Sequence, residues 1–239
     1  EPRTLDHQSE LARCQNKIGL ILLDIGDTRA AEITIREAIR IQESLHNIDS
    51  SNSHVAVDLA VSWCNLGLVA MDSSDGKNAD TYFMRALAVL DQIGSNDSKG
   101  LAVINAMAAA YGNLADLHST SDPSEAIKWS ENAVARRRVA ATTQSSDIRS
   151  QQLLASECSD LATLYSRNGR VAEAMSAFDE AASIQRRLAK TDGGIVAHRR
   201  DLAVTLNNLG KAHVIANRLG DACGTFEEAL AIQETLCAD

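Results

Sequence analysis

The stretch LAVTLNNLGKAHV at residues 202–214 is nearly repeated as LAVSWCNLGLVA at residues 59–70. Asn-Leu-Gly lies near the centre of both stretches, and its glycine serves as an anchor for searching the rest of the chain. The anchor position is occupied five times by Gly or Ala, namely by Gly19, Gly67, Ala115, Ala162 and Gly210. These anchors are 48, 48, 47 and 48 residues apart. A fixed period of this kind is typical of a protein built from stacked copies of one supersecondary unit.

Two further small residues follow every anchor at nearly constant distances. The first set is Ala31, Ala79, Ala126, Ala174 and Ala222, and the second is Ala38, Ala86, Ala133, Ala181 and Ala229. Small side chains at these places let two helices of a pair approach closely. One helix pair cannot bury its own apolar face, so the pairs must stack on one another.

We therefore predict an all-α fold, a right-handed α-solenoid of five helix-turn-helix repeats. The prediction is one array over residues 1–239, with repeats at about 5–46, 54–94, 101–141, 148–190 and 196–237.

Composition agrees with packed helices and argues against several classes of partner. Aromatic residues make up 3% of the chain, and the prolines are Pro2 and Pro123. The net charge of −9 disfavours binding to a phosphate backbone. No run of about 18 apolar residues and no signal peptide are visible, and the five cysteines are widely spread. We predict a cytoplasmic protein with no nucleic-acid and no membrane partner. Because the first residue is Glu, we expect an excised piece of a larger protein or a processed product.

The periodic pattern resembles the tetratricopeptide repeat, whose signature runs W-x2-L-G-x2-Y, then A-x3-F, then A, then P. The leucine of that signature corresponds to Ile18, Leu66, Leu114, Leu161 and Leu209. Two departures are a period longer than the usual value of about 34 residues and the lack of the final proline. Its place is taken by Glu43, Asp91, Arg138, Arg186 and Glu234. Long-period arrays of this kind are similar to kinesin-light-chain-like repeats. The resemblance implies that the first helix of each repeat lines a concave groove, and that this groove binds a protein or peptide segment.

No catalytic motif and no cofactor motif is present, so we predict that these residues are not an enzyme and need no cofactor or metal. His118 and His213 occupy one motif position two repeats apart, which predicts packing rather than a shared metal. Cys64 and Cys158 are expected to be inert thiols. The basic clusters at 136–138, 186–187 and 198–200 are expected to be solvated faces.

The groove residues implied by the resemblance lie close to the anchors. Two residues before the anchors stand Lys17, Asn65, Asn113, Asp160 and Asn208, and three before them stand Asn16, Cys64, Gly112, Ser159 and Asn207. Further candidates are Arg13, Asp116, Arg167 and Lys211, with Leu20, Leu68 and Met71 for apolar contact. The Lys and Asn clamp that grips a C-terminal carboxylate is not formed.

The asparagines permit two interpretations. An asparagine amide both donates and accepts, so a column of them can hold an extended peptide backbone. The same amides can instead bridge adjacent helices. Under the first interpretation, replacing Asn65 and Asn208 by Ala weakens partner binding and leaves the melting temperature nearly unchanged.

Two other functions stay open from the sequence. The repeats look like the regions that follow the catalytic domain of bacterial eukaryotic-like serine/threonine kinases, so the parent protein is expected to be such a kinase under this alternative. The last repeat ends without a polar capping helix, which predicts self-association through the terminal repeats in an assembly scaffold.

Overall fold

A computed structural model describes residues 2–93, 100–191 and 196–238. Within these ranges the chain forms ten α-helices and no strand, and the prediction of an all-α helical repeat array is confirmed. The helices are α1 Pro2–Asp24, α2 Thr28–Ile48, α3 Ser53–Asp72, α4 Gly76–Asp91, α5 Leu101–His118, α6 Pro123–Thr143, α7 Ile148–Arg167, α8 Val171–Thr191, α9 Val196–Ile215 and α10 Leu219–Ala238.

The chain divides into two compact units, Glu1–Ser121 and Asp122–Asp239. In the first unit α1 packs on α2, α3 packs on α4, and α5 closes the unit against α3 and α4. In the second unit α6 packs on α7, and the pairs α7–α8 and α9–α10 stack through α8 and α9. The unit boundary falls within the third repeat, between its two helices. A continuous right-handed array over residues 1–239 stays a prediction.

The turn inside the first three helix pairs is capped in the same way. Asp27, Asp75 and Asp122 each accept a hydrogen bond from the backbone N–H three residues later, which caps the second helix of their repeats. Gly26 and Gly169 have φ values of 83° and 73°, in the left-handed region that favours glycine. These caps end the first helix and fix the start of the second.

The anchors lie where the two helices of a pair cross. A Cβ added to Gly67 would collide with the ring of Phe83, and one added to Gly19 would collide with Ile35. The alanines after the anchors fill the same contact, and all ten of them are buried. Close approach of the paired helices therefore depends on the absence of side-chain volume, as the sequence predicts.

One helix in the described ranges, α3, is long and apolar enough to cross a membrane by length and composition. Most of this stretch is buried in the first unit. Its buried residues include Leu59, Trp63 and Leu66, which pack inside the repeat array. An apolar helix of this kind is also expected in the core of a stacked helical protein.

Candidate functional site

The first helices of the first unit are joined by polar contacts. Asn65 Nδ2 on α3 donates to Asn16 Oδ1 on α1 at 3.1 Å, and both side chains are buried. On the same two helices, Arg13 Nε of α1 lies 3.9 Å from Asp58 Oδ2 of α3. These contacts hold α1 against α3.

The asparagine column is therefore not uniform along the chain. Asn16 and Asn65 bridge two helices, whereas Asn113, Asn207 and Asn208 are half-buried. Because Asn65 is engaged with Asn16, the expectation that its loss leaves the melting temperature unchanged no longer holds for this position.

Replacing Asn65 by Ala is expected to lower the free energy of unfolding by about 1–3 kcal/mol, because Asn16 Oδ1 would stay buried without its donor. Chemical denaturation followed by circular dichroism measures this change. The matched control is Asn208→Ala in the last repeat, which should shift stability by about 0.5 kcal/mol or less. Equal losses in the two variants would contradict the bridging role.

The second unit has a cavity at the equivalent place. Its volume is about 270 Å³, and it opens between α7, α9 and the end of α8. Its lining combines hydroxyls, amides, two carboxylates, a guanidinium and an imidazole, supplied by Gln152, Ser156, Ser159, Asp160, Gln185, His198, Arg200, Asp201 and Thr205, with Ala155, Leu188 and Val204 as apolar lining. Ser159 and Asp160 are two of the positions predicted to look into the groove.

Hydrogen bonds across the cavity fix its walls. Gln152 Nε2 lies 2.6 Å from His198 Nε2, and Ser159 Oγ lies 3.0 Å from Thr205 Oγ1. Each pair joins α7 to α9, as Asn16 and Asn65 join α1 to α3. Side chains held in this way give a ligand fixed partners.

The side-chain amide oxygen of Gln185 is a buried acceptor in the wall of the cavity. The side chain of Gln185 is buried, and its Oε1 has no hydrogen-bond partner within the described part of the chain. Buried amide oxygens are nearly always paired, because leaving one unpaired costs about 1–3 kcal/mol. An N–H donor entering the cavity would satisfy this oxygen.

The remaining groove candidates are distributed over both units. Lys17, Arg13, Asp116, Arg167 and Lys211 are exposed. Arg167, Asn207, Asn208 and Lys211 belong to the second unit, but they are not among the described residues that line its cavity. From the predicted set, Ser159 and Asp160 line this cavity, together with residues that sequence reasoning missed.

The missed residues had one sequence signal. Gln185 stands at a place in the second helix that is occupied in earlier repeats by Gln42, Leu90 and Arg137, all of them buried. This signal is not specific to Gln185, because Gln42 and Arg137 are also polar and buried. Gln152, His198 and Thr205 showed no such pattern.

His118 and Arg137, which the sequence analysis singled out, each lie beside an acidic side chain. His118 Nε2 lies 2.8 Å from Asp80 Oδ1 on α4, and His213 is buried on α9, in agreement with packing roles. The expectation of solvated basic faces is wrong for Arg137 and for His198, which are both buried. Arg137 Nε lies 3.6 Å from Glu157 Oε1. Burial lowers the pKa of Arg137, and Glu157 partly offsets that effect.

Cysteine chemistry separates into two classes. Cys64 and Cys158 are buried, and burial raises the pKa of each thiol to about 12. Cys14, Cys223 and Cys237 are exposed. Since the thiolate is the reactive form, burial of these two side chains disfavours their reaction.

Labelling with Ellman's reagent at neutral pH is expected to modify the three exposed thiols quickly and the two buried thiols only after denaturation. Cys64→Ser and Cys158→Ser should leave the fast phase unchanged. A fast phase that lost amplitude in either variant would show that a buried thiol is accessible.

Metal-binding geometry does not occur in the described ranges. Across residues 2–93, 100–191 and 196–238, no three His, Cys, Asp or Glu side chains come together as a metal site. The candidate site is the polar cavity between α7, α8 and α9, whose side chains are suited to hydrogen bonding.

Family models match three segments of the chain. Residues 12–45 match one model of the tetratricopeptide repeat, and residues 155–192 and 202–239 match another. These three segments are therefore similar to tetratricopeptide repeats. They correspond closely to the helix pairs α1–α2, α7–α8 and α9–α10. No curated protein sequence matches the chain.

Solved structures share the fold at low sequence identity. BtubC (BKLC) from P. vanneervenii is 17% identical with a TM-score of 0.74, and the match covers 100% of this chain and 92% of that one. Nearly identical TPR-like repeats from a Podosopora anserina protein assigned as a kinesin light chain are 19% identical, with a TM-score of 0.56 and coverages of 96% and 97%. MamA is 18% identical, with a TM-score of 0.53 and coverages of 90% and 98%. At these identities the likeness concerns the fold alone.

Proposed function

We propose that this chain is a non-catalytic, cytoplasmic interaction module that binds an extended protein segment along α7 and α9. Tetratricopeptide repeats generally serve protein interaction, and the three matched segments support that general role. The proposal for this chain rests on the cavity of the second unit, with its fixed hydroxyl and amide groups. An extended backbone presents alternating N–H and C=O groups, which such side chains can pair without demanding one sequence.

The single observation that supports the site best is the unpaired Oε1 of Gln185. A main-chain N–H of the bound segment would donate to it, while Ser159 and Thr205 offer hydroxyls that donate or accept. Asp160 and Asp201 add two carboxylates beside one guanidinium from Arg200. The cavity therefore favours a neutral or basic segment over an acidic one.

Selection of phage-displayed random peptides on the immobilised full chain, followed by calorimetry with the synthetic peptides, tests this site. Gln185→Leu keeps the side-chain volume and removes the acceptor. It should weaken peptide binding at least tenfold, which corresponds to about 1.4 kcal/mol. Stability should not fall, because an unpaired buried amide is replaced by an apolar group.

Gln42→Leu provides a matched control for this experiment. Gln42 occupies the equivalent place on α2, and its Oε1 is also buried without a partner in the described ranges. Gln42 lies in the first unit, so its replacement should leave peptide affinity unchanged. Equal affinity of the wild type and Gln185→Leu, or equal losses in both variants, would remove the cavity from the proposal.

A larger parent protein is a second proposal, and it comes from the sequence resemblance alone. Long-period repeats of this kind look like the regions that follow bacterial serine/threonine kinase domains. Sequencing the reading frame upstream of Glu1 tests it, since a kinase domain has an unmistakable glycine-rich loop and catalytic loop. An upstream frame without these motifs would end this alternative.

A further inference from the structure

The outer face of the first helix pair is apolar and open. Three positions of the first helix in a repeat form this face: eight residues before the anchor, one before it and two after it. In later repeats these positions are buried. They are Leu59, Leu66 and Val69 in the second repeat, Leu154, Leu161 and Leu164 in the fourth, and Leu202, Leu209 and Ala212 in the fifth. The same positions on α1 are Leu11, Ile18 and Ile21, whose side chains are 52%, 49% and 60% exposed. We call these three residues, together with Glu37 on α2, the first stacking face.

In the other repeats this face is covered by the second helix of the preceding repeat. Ala182 on α8 packs with Leu202 and Leu206 on α9 in one apolar cluster. Leu209 and Ala212 belong to the larger cluster to which α8 contributes Phe178, Ala181 and Ile184. The contact that buries the positions of Leu11 and Ile18 is thus already present elsewhere in the chain.

An arginine–glutamate ion pair accompanies this contact at two junctions of the second unit. Arg186 Nε and Nη2 on α8 donate to Glu228 Oε1 and Oε2 on α10, both at 2.7 Å. Arg138 on α6 donates in the same bidentate way to Glu180 on α8, at 3.2 and 2.9 Å. In each case the arginine belongs to the preceding repeat and the glutamate to the following one. Paired donors of this geometry match a carboxylate specifically.

Glu37 occupies on α2 the position of Glu180 and Glu228. Its Oε2 accepts a hydrogen bond of 3.1 Å from Gln15 Nε2 on α1, which places the carboxylate beside the apolar positions. We propose that the first stacking face is a docking surface for a partner helix that presents small apolar residues and an arginine one turn apart, as α8 presents Ala182 and Arg186. The apolar part gives affinity, and the arginine selects the partner.

The chemistry of α10 explains why a second copy of this chain is not that partner. Leu230 occupies the repeat position held by Ile39, Leu87 and Ala182 in earlier repeats. Those three residues are buried, whereas Leu230 is 55% exposed. The apolar part of the contact is therefore available at this end too. However, the position of Arg186 is occupied on α10 by Glu234. Head-to-tail docking would place Glu234 against Glu37, and like charges in one contact oppose association.

The variant Glu234→Arg turns α10 into the partner that the first stacking face should accept, so a second copy becomes the probe. Sedimentation velocity over a concentration series is expected to show association of this variant at concentrations at least tenfold below those at which the wild type associates. Glu37→Arg should have the same effect, because it pairs the new arginine with Glu234. The double variant should return to wild-type behaviour, since arginine then faces arginine.

Two controls separate this contact from general charge effects. Glu227→Arg makes the same charge change at another exposed position of α10 and should sediment as the wild type. Ile18→Asp, added to Glu234→Arg, should abolish the association without unfolding the chain, because Ile18 is half exposed. Wild-type sedimentation of Glu234→Arg, or association of the Glu37→Arg/Glu234→Arg variant as strong as that of Glu234→Arg, would overturn the proposal. These variants leave the cavity at Gln185 untouched, so their failure is distinct from failure of the peptide site.

Discussion

Replacing Phe178 by Ala is expected to lower the free energy of unfolding by about 3–5 kcal/mol. Phe178 is almost completely buried and belongs to the main core cluster of the second unit, together with Ala162, Leu161 and Ile184. The anchor of this repeat, Ala162 on α7, belongs to the same cluster as the ring. Removing the ring leaves a cavity that rigid neighbouring helices cannot close, and this explains the large expected loss.

Equilibrium denaturation measured by circular dichroism tests this expectation, and an exposed neighbour supplies the control. Ser176→Ala on the same helix should change stability by about 0.5 kcal/mol or less. The third repeat has Ser130 in place of the phenylalanine, and that serine is also buried. If Phe178→Ala were as stable as the wild type, α7 and α8 would have to move together and fill the space left by the ring.

Replacing Gly67 by Val is expected to cost about 3 kcal/mol or more, and Gly67→Ala about 1–2 kcal/mol. Overpacking a well-filled core costs about 1–3 kcal/mol, while alanine recovers about 1 kcal/mol of helix propensity over glycine. The added Cβ would strike the ring of Phe83, which is fully buried and has no space to move.

Gly210 offers a matched control in the last repeat. A Cβ there would lie 2.6 Å from Phe226 Cε1, but Phe226 is only partly buried and its ring can rotate away. The gain in helix propensity should then balance the strain, so Gly210→Ala should stay within about 0.5 kcal/mol of the wild type. Equal losses at Gly67 and Gly210 would show that burial of the opposing ring does not decide the cost.

The helix pairs could be predicted because their packing chemistry repeats along the chain. Each anchor and its two alanines mark one helix crossing, and the structure places these residues where the sequence requires them. Asp27, Asp75 and Asp122 cap the helices that follow them, and such capping is a local effect of neighbouring residues. Features that depend on neighbouring residues within one helix pair were thus accessible from the sequence.

The candidate site was less predictable because it depends on distances between helices of different repeats. An asparagine amide suits either a peptide or a neighbouring helix, and only the structure shows that Asn65 reaches Asn16. The basic clusters were similarly ambiguous. Arg138 and Arg186 pair with glutamates that lie 42 residues later, a relationship that no local pattern reveals.

The two arginine–glutamate pairs also bear on how the gene can change length. A deletion of residues 148–195 would remove one period and bring Arg138 opposite Glu228, which restores the same bidentate pair. Recombination between these neighbouring copies would therefore yield shorter or longer descendants whose remaining junctions stay chemically matched. The first repeat cannot be exchanged in this way, because it has Glu43 at the position of Arg138 and Arg186. A glutamate there would face Glu180 or Glu228 and could not pair with it.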